Sequence, residues 1–163
     1  DWSRENVKFL KENSGKKGEG MPVVRNPQFY FREGFCWTDV NSTYLKSRIK
    51  QNGVYDVLTM SLFTSVEIPD WYFVCMINSK FISEYVDDFV NSTSHFQIND
   101  ARQIPIIIPT SEQLKAFEDI FHRAVFVQKQ KFEGKISEKE AEEKLEEIQK
   151  ELDEKVLKLY GLV

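Results

Sequence analysis

The C-terminal third of the chain carries the pattern that most constrains the fold, because it specifies two helices with defined ends. Thr110 and Gln113 stand three positions apart in a capping-box pattern, and Ser137 and Glu140 repeat that spacing. Gly134 lies between the two patterns as a turn residue. Each helix would contain about 22 residues and extend over about 33 Å. Two helices of this length joined by so short a turn form an antiparallel hairpin.

The second helix of this hairpin has a narrow apolar seam, with charged residues at most other positions. We expect the first helix to end near Phe132 and the second to end before Gly161, a residue suited to the position after a helix. The seam must be covered by the rest of the chain, by a second copy in a homodimer, or by a neighbouring domain. Its members are Ala141, Leu145, Ile148, Leu152, Val156 and Leu159.

The N-terminal part begins with a helical pattern over residues 4–13 and a glycine-rich, charged loop over 14–20. Apolar and polar residues then alternate up to residue 37, with Phe35 and Trp37 on one side and Cys36 on the other. This alternation predicts strands within 21–37, joined by a turn at Glu33-Gly34.

The middle of the chain predicts one more pair of strands and one long helix. The strands are expected over residues 54–63. Asp70 is expected to cap a helix whose apolar stripe is interrupted near 78–79, and 104–108 to form a short buried strand between two prolines. A polar loop is expected over 91–95.

The sequence therefore predicts an α+β fold with a mixed, mainly antiparallel sheet and packed helices, followed by a C-terminal antiparallel helical hairpin. We expect a domain over residues 1–109, whose start is truncated, and a spacer or docking arm over 110–163. Because the chain begins at Asp1 without a methionine, we expect it to be a fragment of a longer polypeptide.

Composition narrows the class of protein. A hydrophobic fraction of 41%, with 13% aromatic residues, can build a core. The net charge is -4, but residues 1–50 hold ten Lys/Arg against six Asp/Glu, so a locally basic surface is compatible with the sequence. Cys36 and Cys75 are isolated and indicate neither a zinc site nor secretion. With no apolar run of about 20 residues, we expect a cytoplasmic protein that does not enter membranes.

Motifs that would carry chemistry are incomplete. Asn-Pro-Gln-Phe at 26–29 lacks the second proline of the motif that holds a flipped adenine in amino-methyltransferases, and we interpret it as a turn. Pro69-Asp70 has no convincing Glu-x-Lys partner near it, since the one at 142–144 lies far away on the charged terminal helix. Neither His95 nor His122 has a neighbouring nucleophile in a known signature. We therefore assign no catalytic residue, no metal ligand and no cofactor to this fragment.

Three segments in a fixed order resemble the TaqI-like C-terminal specificity domains of restriction-modification enzymes and adenine DNA methyltransferases. They are an aromatic strand ending in Trp at 31–37, a helix with Ile-Asn-Ser-Lys at 77–80, and a proline-bounded segment leading into Glu-Gln at 103–113. The chain is also similar to half of a type I specificity subunit, and 152–162 resembles the tail of fused enzymes of this kind. Together these matches cover most of residues 28–163.

The resemblance implies a non-catalytic part of a bacterial restriction-modification enzyme that recognises a target sequence in double-stranded DNA. Its partner would be the methyltransferase domain or subunit of the parent. S-adenosylmethionine, with Mg as a further candidate, would be a cofactor of the parent alone.

Two polar segments, 38–52 and 91–97, contain the residue types that contact bases and phosphates. The cluster Lys46, Arg48 and Lys50 is the best candidate for phosphate contacts. The alternative function is a protein-interaction or dimerisation module that uses the hairpin. The candidate DNA-binding residues are Asn41, Ser42, Lys46, Arg48, Lys50, Gln51, Asn52, Ser92, Thr93, Ser94 and His95.

Overall fold

A computed structural model describes residues 1–54 and 59–163. The fold is α+β, as predicted: an antiparallel sheet is followed by packed helices and a C-terminal hairpin. The elements are α1 (Arg4–Asn13), a 3-10 turn (Pro27–Phe29), β1 (Gly34–Thr38), β2 (Ser47–Lys50), β3 (Thr59–Leu62), α2 (Asp70–Ile77), α3 (Lys80–Phe89), α4 (Ile98–Ala101), α5 (Ser111–Phe132) and α6 (Glu138–Leu159).

The sheet has the strand order β2-β1-β3, and both pairs are antiparallel. Phe35 and Trp37 of β1 point into the core against α2 and α3, and the Trp37 indole donates to the Phe96 carbonyl oxygen at 2.9 Å. Cys36 faces the other side of the sheet and is also buried, so β1 is covered on both faces rather than half exposed as its alternation suggested.

The helix α2 lies between two hydrophobic clusters. Tyr72 and Met76 pack against the hairpin, whereas Val74 and Ile77 pack against the sheet side. The hairpin helices contact the rest of the chain through α5 on α2 and α6 on α3. The same short helix therefore positions the sheet and the hairpin relative to each other.

The hairpin prediction is confirmed in its helix ends, and of the two capping boxes the first is reciprocal among the described residues. Thr110 and Gln113 form the reciprocal capping box of α5, and the Ser137 side chain accepts a hydrogen bond from the Glu140 N–H. Each helix contains 22 residues. Gly161 has a φ of 70° and closes α6 with its N–H on the Lys158 carbonyl oxygen. These ends are fixed by local hydrogen bonds, which explains why the sequence sufficed.

Other confirmed features are α1, the polar loop at 91–95 and the turn at Asn26 to Phe29. The helix starting at 70 is interrupted as expected: Ile77 ends α2, and Ser79 caps α3 by accepting from the Ile82 N–H.

The prediction of several strands within 21–37 is wrong, because only Gly34–Thr38 is a strand. Asn26 and Phe31 have φ values of 50° and 63°, which interrupt an extended conformation. Gly34 begins β1 instead of forming a turn. A Cβ at Gly34 would lie 2.7 Å from the Leu62 carbonyl oxygen, so the close approach of β3 requires glycine there.

The strand expected over 104–108 is also absent. Its carbonyl groups bond to side chains instead: the Tyr72 hydroxyl donates to the Ile107 oxygen at 2.8 Å, and the Tyr160 hydroxyl donates to the Pro105 oxygen. Asp70 does not cap α2 either, since Pro69 occupies that position. For the strand pair at 54–63, β3 covers 59–62, and residues 55–58 lie outside the described part of the chain.

A strand that was not predicted, β2, occupies Ser47–Lys50 within the polar segment 38–52. Its sequence, Ser-Arg-Ile-Lys, has too little apolar alternation to indicate a strand. Across the described residues, no helix is apolar over a length that could cross a membrane.

Candidate nucleic-acid interface

The two polar segments predicted to contact DNA lie side by side in the structure. The Asn41 N–H donates to the Ser94 carbonyl oxygen at 2.8 Å, and the Phe96 N–H donates to the Asp39 carbonyl oxygen at 2.8 Å. Val40 and His95 form an antiparallel bridge between these bonds. The segment after β1 and the loop after α3 are therefore joined as a short ribbon, although more than fifty positions separate them in the sequence.

This ribbon and α3 enclose an open cleft of about 340 Å³, which we call the polar cleft. Six of the predicted residues line it, whereas the predicted residues from 46 to 52 do not. The lining consists of Asn41, Ser42, Thr43, Tyr44, Leu45, Ser83, Glu84, Val86, Asp87, Asn91, Ser92, Thr93, Ser94, His95 and Phe96.

Hydrogen bonds within the loop hold its shape. The Asn91 side-chain oxygen accepts from the Thr93 N–H and hydroxyl, and its amide donates to the His95 carbonyl oxygen at 2.8 Å and to Asp100. This side-chain turn is typical of asparagine in loops. Asn91 thus has a structural role, which leaves the exposed Ser92 and Ser94 side chains for contact with a ligand.

One side chain of the cleft, His95, bonds to a buried carboxylate. Asp39 is only 7% exposed, and its Oδ2 lies 2.9 Å from His95 Nδ1. The His95 side chain remains 56% exposed at the cleft. A buried carboxylate thus holds an exposed imidazole in a fixed orientation.

The predicted cationic cluster is divided between the surface and the interior. From Leu45 to Arg48 buried and exposed residues alternate, so Lys46 and Arg48 project on the same outer side. We call these two residues, Arg48 in β2 and Lys46 immediately before it, the β2 cations. The Lys50 ammonium is shielded from solvent, and burial lowers its pKa. The β2 cations are therefore the better candidates for phosphate contacts.

Cys36 lies opposite Arg48 on the outer face of the sheet. Burial raises the pKa of the Cys36 thiol, and the positive charges of Arg48 and Lys50 oppose that shift. The remaining candidates lie at the end of β2. The exposed Gln51 donates to Glu33 at 2.7 Å, and Asn52 has a φ of 50°, so both belong to a turn beside the strand.

Asn78 of the Ile-Asn-Ser-Lys motif supports the edge strand. The Ser47 N–H donates to Asn78 Oδ1 at 2.6 Å, and Asn78 Nδ2 donates to the Ser47 carbonyl oxygen at 3.0 Å. Asn78 thus completes the backbone bonding of β2 as a neighbouring strand would. Gln149 donates to the Asn78 carbonyl oxygen at 3.1 Å, which ties this junction to α6.

Several residues that line the cleft were not predicted, among them Tyr44, Glu84 and Asp87. Tyr44 is 52% exposed between polar neighbours, and its position in a polar segment was the available signal. Glu84 and Asp87 project from the polar face of α3, where nothing in the sequence distinguishes them from other surface carboxylates. The cleft is consequently acidic, while the β2 cations begin immediately after its lining residue Leu45. Within residues 1–54 and 59–163, no group of three or more His, Cys, Asp or Glu could hold a metal ion.

No protein-family model matches the chain, and no curated protein matches it.

Proposed function

We propose that the chain is the DNA target-recognition domain of a bacterial restriction-modification enzyme. In this proposal it binds double-stranded DNA beside the methyltransferase domain or subunit of its parent and does not itself perform chemistry. S-adenosylmethionine and Mg belong to the parent. We place the protein in the bacterial cytoplasm, an environment suited to the free thiols Cys36 and Cys75.

The observation that supports this proposal most strongly is the pairing of the two polar segments. Residues 38–52 and 91–97 each contain base-contacting residue types. The Asn41–Ser94 and Phe96–Asp39 bonds, each 2.8 Å long, join them into one exposed surface. Polar side chains held on a hydrogen-bonded ribbon of this kind are suited to the major groove, which admits a two-stranded ribbon.

Charge separates this surface into two parts with different expected contacts. Glu84 and Asp87 make the polar cleft unfavourable for phosphates, but carboxylates accept hydrogen bonds from the amino group of cytosine. Arg48 of the edge strand and Lys46, immediately before it, lie outside the cleft and can neutralise phosphates. We therefore expect bases at the cleft and the sugar-phosphate backbone at β2.

The test of this division is the salt dependence of binding to a fluorescently labelled duplex, measured by anisotropy. We expect weak binding whose logarithm falls linearly with the logarithm of salt concentration. Lys46→Gln/Arg48→Gln should weaken binding to all duplex sequences and reduce the slope by about 0.9 for each phosphate that the protein no longer neutralises.

A matched control is Lys115→Gln/Lys129→Gln, which removes the same charge from exposed positions on α5. The control should retain nearly the wild-type slope. Equal affinity at low and high salt would contradict DNA recognition, and equal effects of the two double variants would contradict the assignment of phosphate contacts to β2.

A second candidate function is dimerisation through the hairpin. It is favoured by Phe126 and Phe132 of α5, which are 60% and 85% exposed. Large exposed aromatic side chains are typical of contact surfaces. Analytical ultracentrifugation over a concentration series tests it: a dimer that becomes a monomer in Phe126→Ser/Phe132→Ser supports this candidate, and a monomer at every concentration contradicts it.

A further inference from the structure

We propose that His95 is the specificity-determining residue of the polar cleft and that its ring accepts a hydrogen bond from a base whose exocyclic amino group lies in the major groove, adenine or cytosine. Asp39 is the positioning residue that makes the ring an acceptor. This inference rests on the proposed DNA recognition and names the class of base recognised.

Asp39 lies in a buried environment. The residue is 7% exposed, and Oδ1 is buried with no hydrogen-bond partner among the described residues. Its Oδ2 lies 2.9 Å from His95 Nδ1. A buried carboxylate requires hydrogen-bond donors. Within the described part of the chain, the His95 ring supplies the one side-chain hydrogen bond that this carboxylate receives.

The bond to Asp39 determines the tautomer of the His95 ring. An ionised carboxylate can only accept hydrogen bonds, so His95 Nδ1 must carry a hydrogen to bond to Asp39. In the neutral ring Nε2 is then left with a free lone pair and acts as an acceptor. Nε2 lies on the side of the ring away from the buried Asp39. Since the side chain is 56% exposed and lines the cleft, this acceptor is open to a ligand.

The His95 ring is held in a fixed position. The His95 carbonyl oxygen accepts from Asn91 Nδ2 at 2.8 Å, and the residue is bridged to Val40 on the neighbouring segment. With its backbone fixed on two sides and Nδ1 fixed by Asp39, the ring has little freedom to rotate. A pre-positioned acceptor discriminates between ligands better than a mobile one.

Two carboxylates elsewhere in the cleft have the same hydrogen-bonding character as the His95 acceptor. Glu84, whose Oε1 lies 3.5 Å from Lys80 Nζ, and Asp87 are further acceptors that line the cleft. In the major groove adenine N6 and cytosine N4 are donors, whereas guanine O6 and N7 and thymine O4 are acceptors. A base with a major-groove amino group is therefore complementary to the cleft, and the major-groove acceptor edge of guanine is repelled.

The positioning role has a spectroscopic test in the free protein. In ¹⁵N-labelled wild-type protein, we expect the neutral His95 ring to be protonated at Nδ1 and unprotonated at Nε2. Asp39→Asn offers an amide that can donate to Nδ1, so the ring hydrogen should move to Nε2. A wild-type ring protonated at Nε2 would overturn the inference.

The specificity role is tested by selecting bound sequences from a library of randomised duplexes. The wild-type protein should favour adenine or cytosine at one position, and His95→Ala should reduce that preference by about fivefold, the effect of one hydrogen bond. Asp39→Asn should shift the preference towards guanine. His122→Ala, which removes the exposed histidine of α5, is the matched control and should change nothing.

The outcomes separate this inference from the proposed function. A protein that binds duplexes through the β2 cations, but whose base preference is the same in His95→Ala, would retain the proposed function and overturn the inference. Failure to bind any duplex would overturn both. Binding of an arginine-rich peptide instead, abolished by Glu84→Gln/Asp87→Asn, would likewise overturn it and would assign the acidic cleft to a protein partner.

Discussion

Replacing Asn78 by alanine removes the side chain that completes the hydrogen bonding of the edge strand β2. Asn78 accepts from the Ser47 N–H at 2.6 Å and donates to the Ser47 carbonyl oxygen at 3.0 Å. Ser47 is 9% exposed, so water cannot readily replace both partners. Each buried backbone group left without a partner costs about 1–3 kcal/mol. We expect Asn78→Ala to lower the free energy of unfolding by about 2–4 kcal/mol.

That decrease is a large part of the stability of an ordinary domain, about 5–15 kcal/mol. It is measured by urea unfolding followed through tryptophan fluorescence, with the buried Trp37 as the reporter. Asn99→Ala, on the exposed side of α4, is the matched control and should change stability by less than about 0.5 kcal/mol. Asn78→Asp keeps the acceptor but places a second acceptor against the Ser47 oxygen, and should destabilise the protein as strongly as alanine.

A decrease below about 1 kcal/mol for Asn78→Ala, indistinguishable from Asn99→Ala, would refute this reasoning. It would mean that β2 keeps its position without the side-chain bonds. The motif containing Asn78 would then need another explanation than support of the strand.

Three further predictions concern stability. Burial raises the pKa of the Cys75 thiol to about 12, so the contribution of the neutral thiol to stability is complete below its ordinary pKa near 9 and is lost as the pH rises towards 12. Over that range the free energy of unfolding of the wild type should fall more steeply than that of Cys75→Ala, by about 1.4 kcal/mol per pH unit. Equal slopes would contradict this. Gly34→Ala, which places a Cβ 2.7 Å from the Leu62 carbonyl oxygen, should cost about 1–3 kcal/mol in urea unfolding. Thr110→Ala removes the acceptor for the Gln113 N–H and should cost about 1 kcal/mol, seen as a lower thermal midpoint; an unchanged midpoint would show that the cap contributes nothing.

The features predicted correctly are those set by interactions between close neighbours in sequence. Thr110, Ser137 and Gly161 fix helix ends through bonds within three to five positions. The apolar seam of α6 lies on one face of the helix whatever it packs against. Such signals need no knowledge of the rest of the fold.

Two of the errors arose where distant residues supply the hydrogen bonds. Ser47 belongs to a strand because Asn78 and β1 bond to it, although its own neighbours are polar. The carbonyl groups of Pro105 and Ile107 bond to tyrosine hydroxyls, so an extended apolar segment does not join the sheet.

The candidate site follows the same rule. The polar residues of 91–97 could be selected by type, but their bonds to residues 39–41 connect positions far apart in sequence. The acidic character of the cleft depends on which face of α3 lies beside it. Glu84 and Asp87 therefore became interpretable only in three dimensions.

Hydrogen bonds between α6 and the α2–α3 junction connect the long hairpin to the edge strand. Asp153 accepts from the Lys80 N–H at 2.8 Å, and Gln149 donates to the carbonyl oxygen of Asn78, whose side chain holds β2. Over a helix about 33 Å long, a small change in the angle at this junction becomes a displacement of several ångströms at the far tip. Chimeric proteins that exchange residues 1–109 must therefore keep Gln149 and Asp153 compatible with the α2–α3 junction of the new domain. Otherwise the orientation of the hairpin relative to that domain will change.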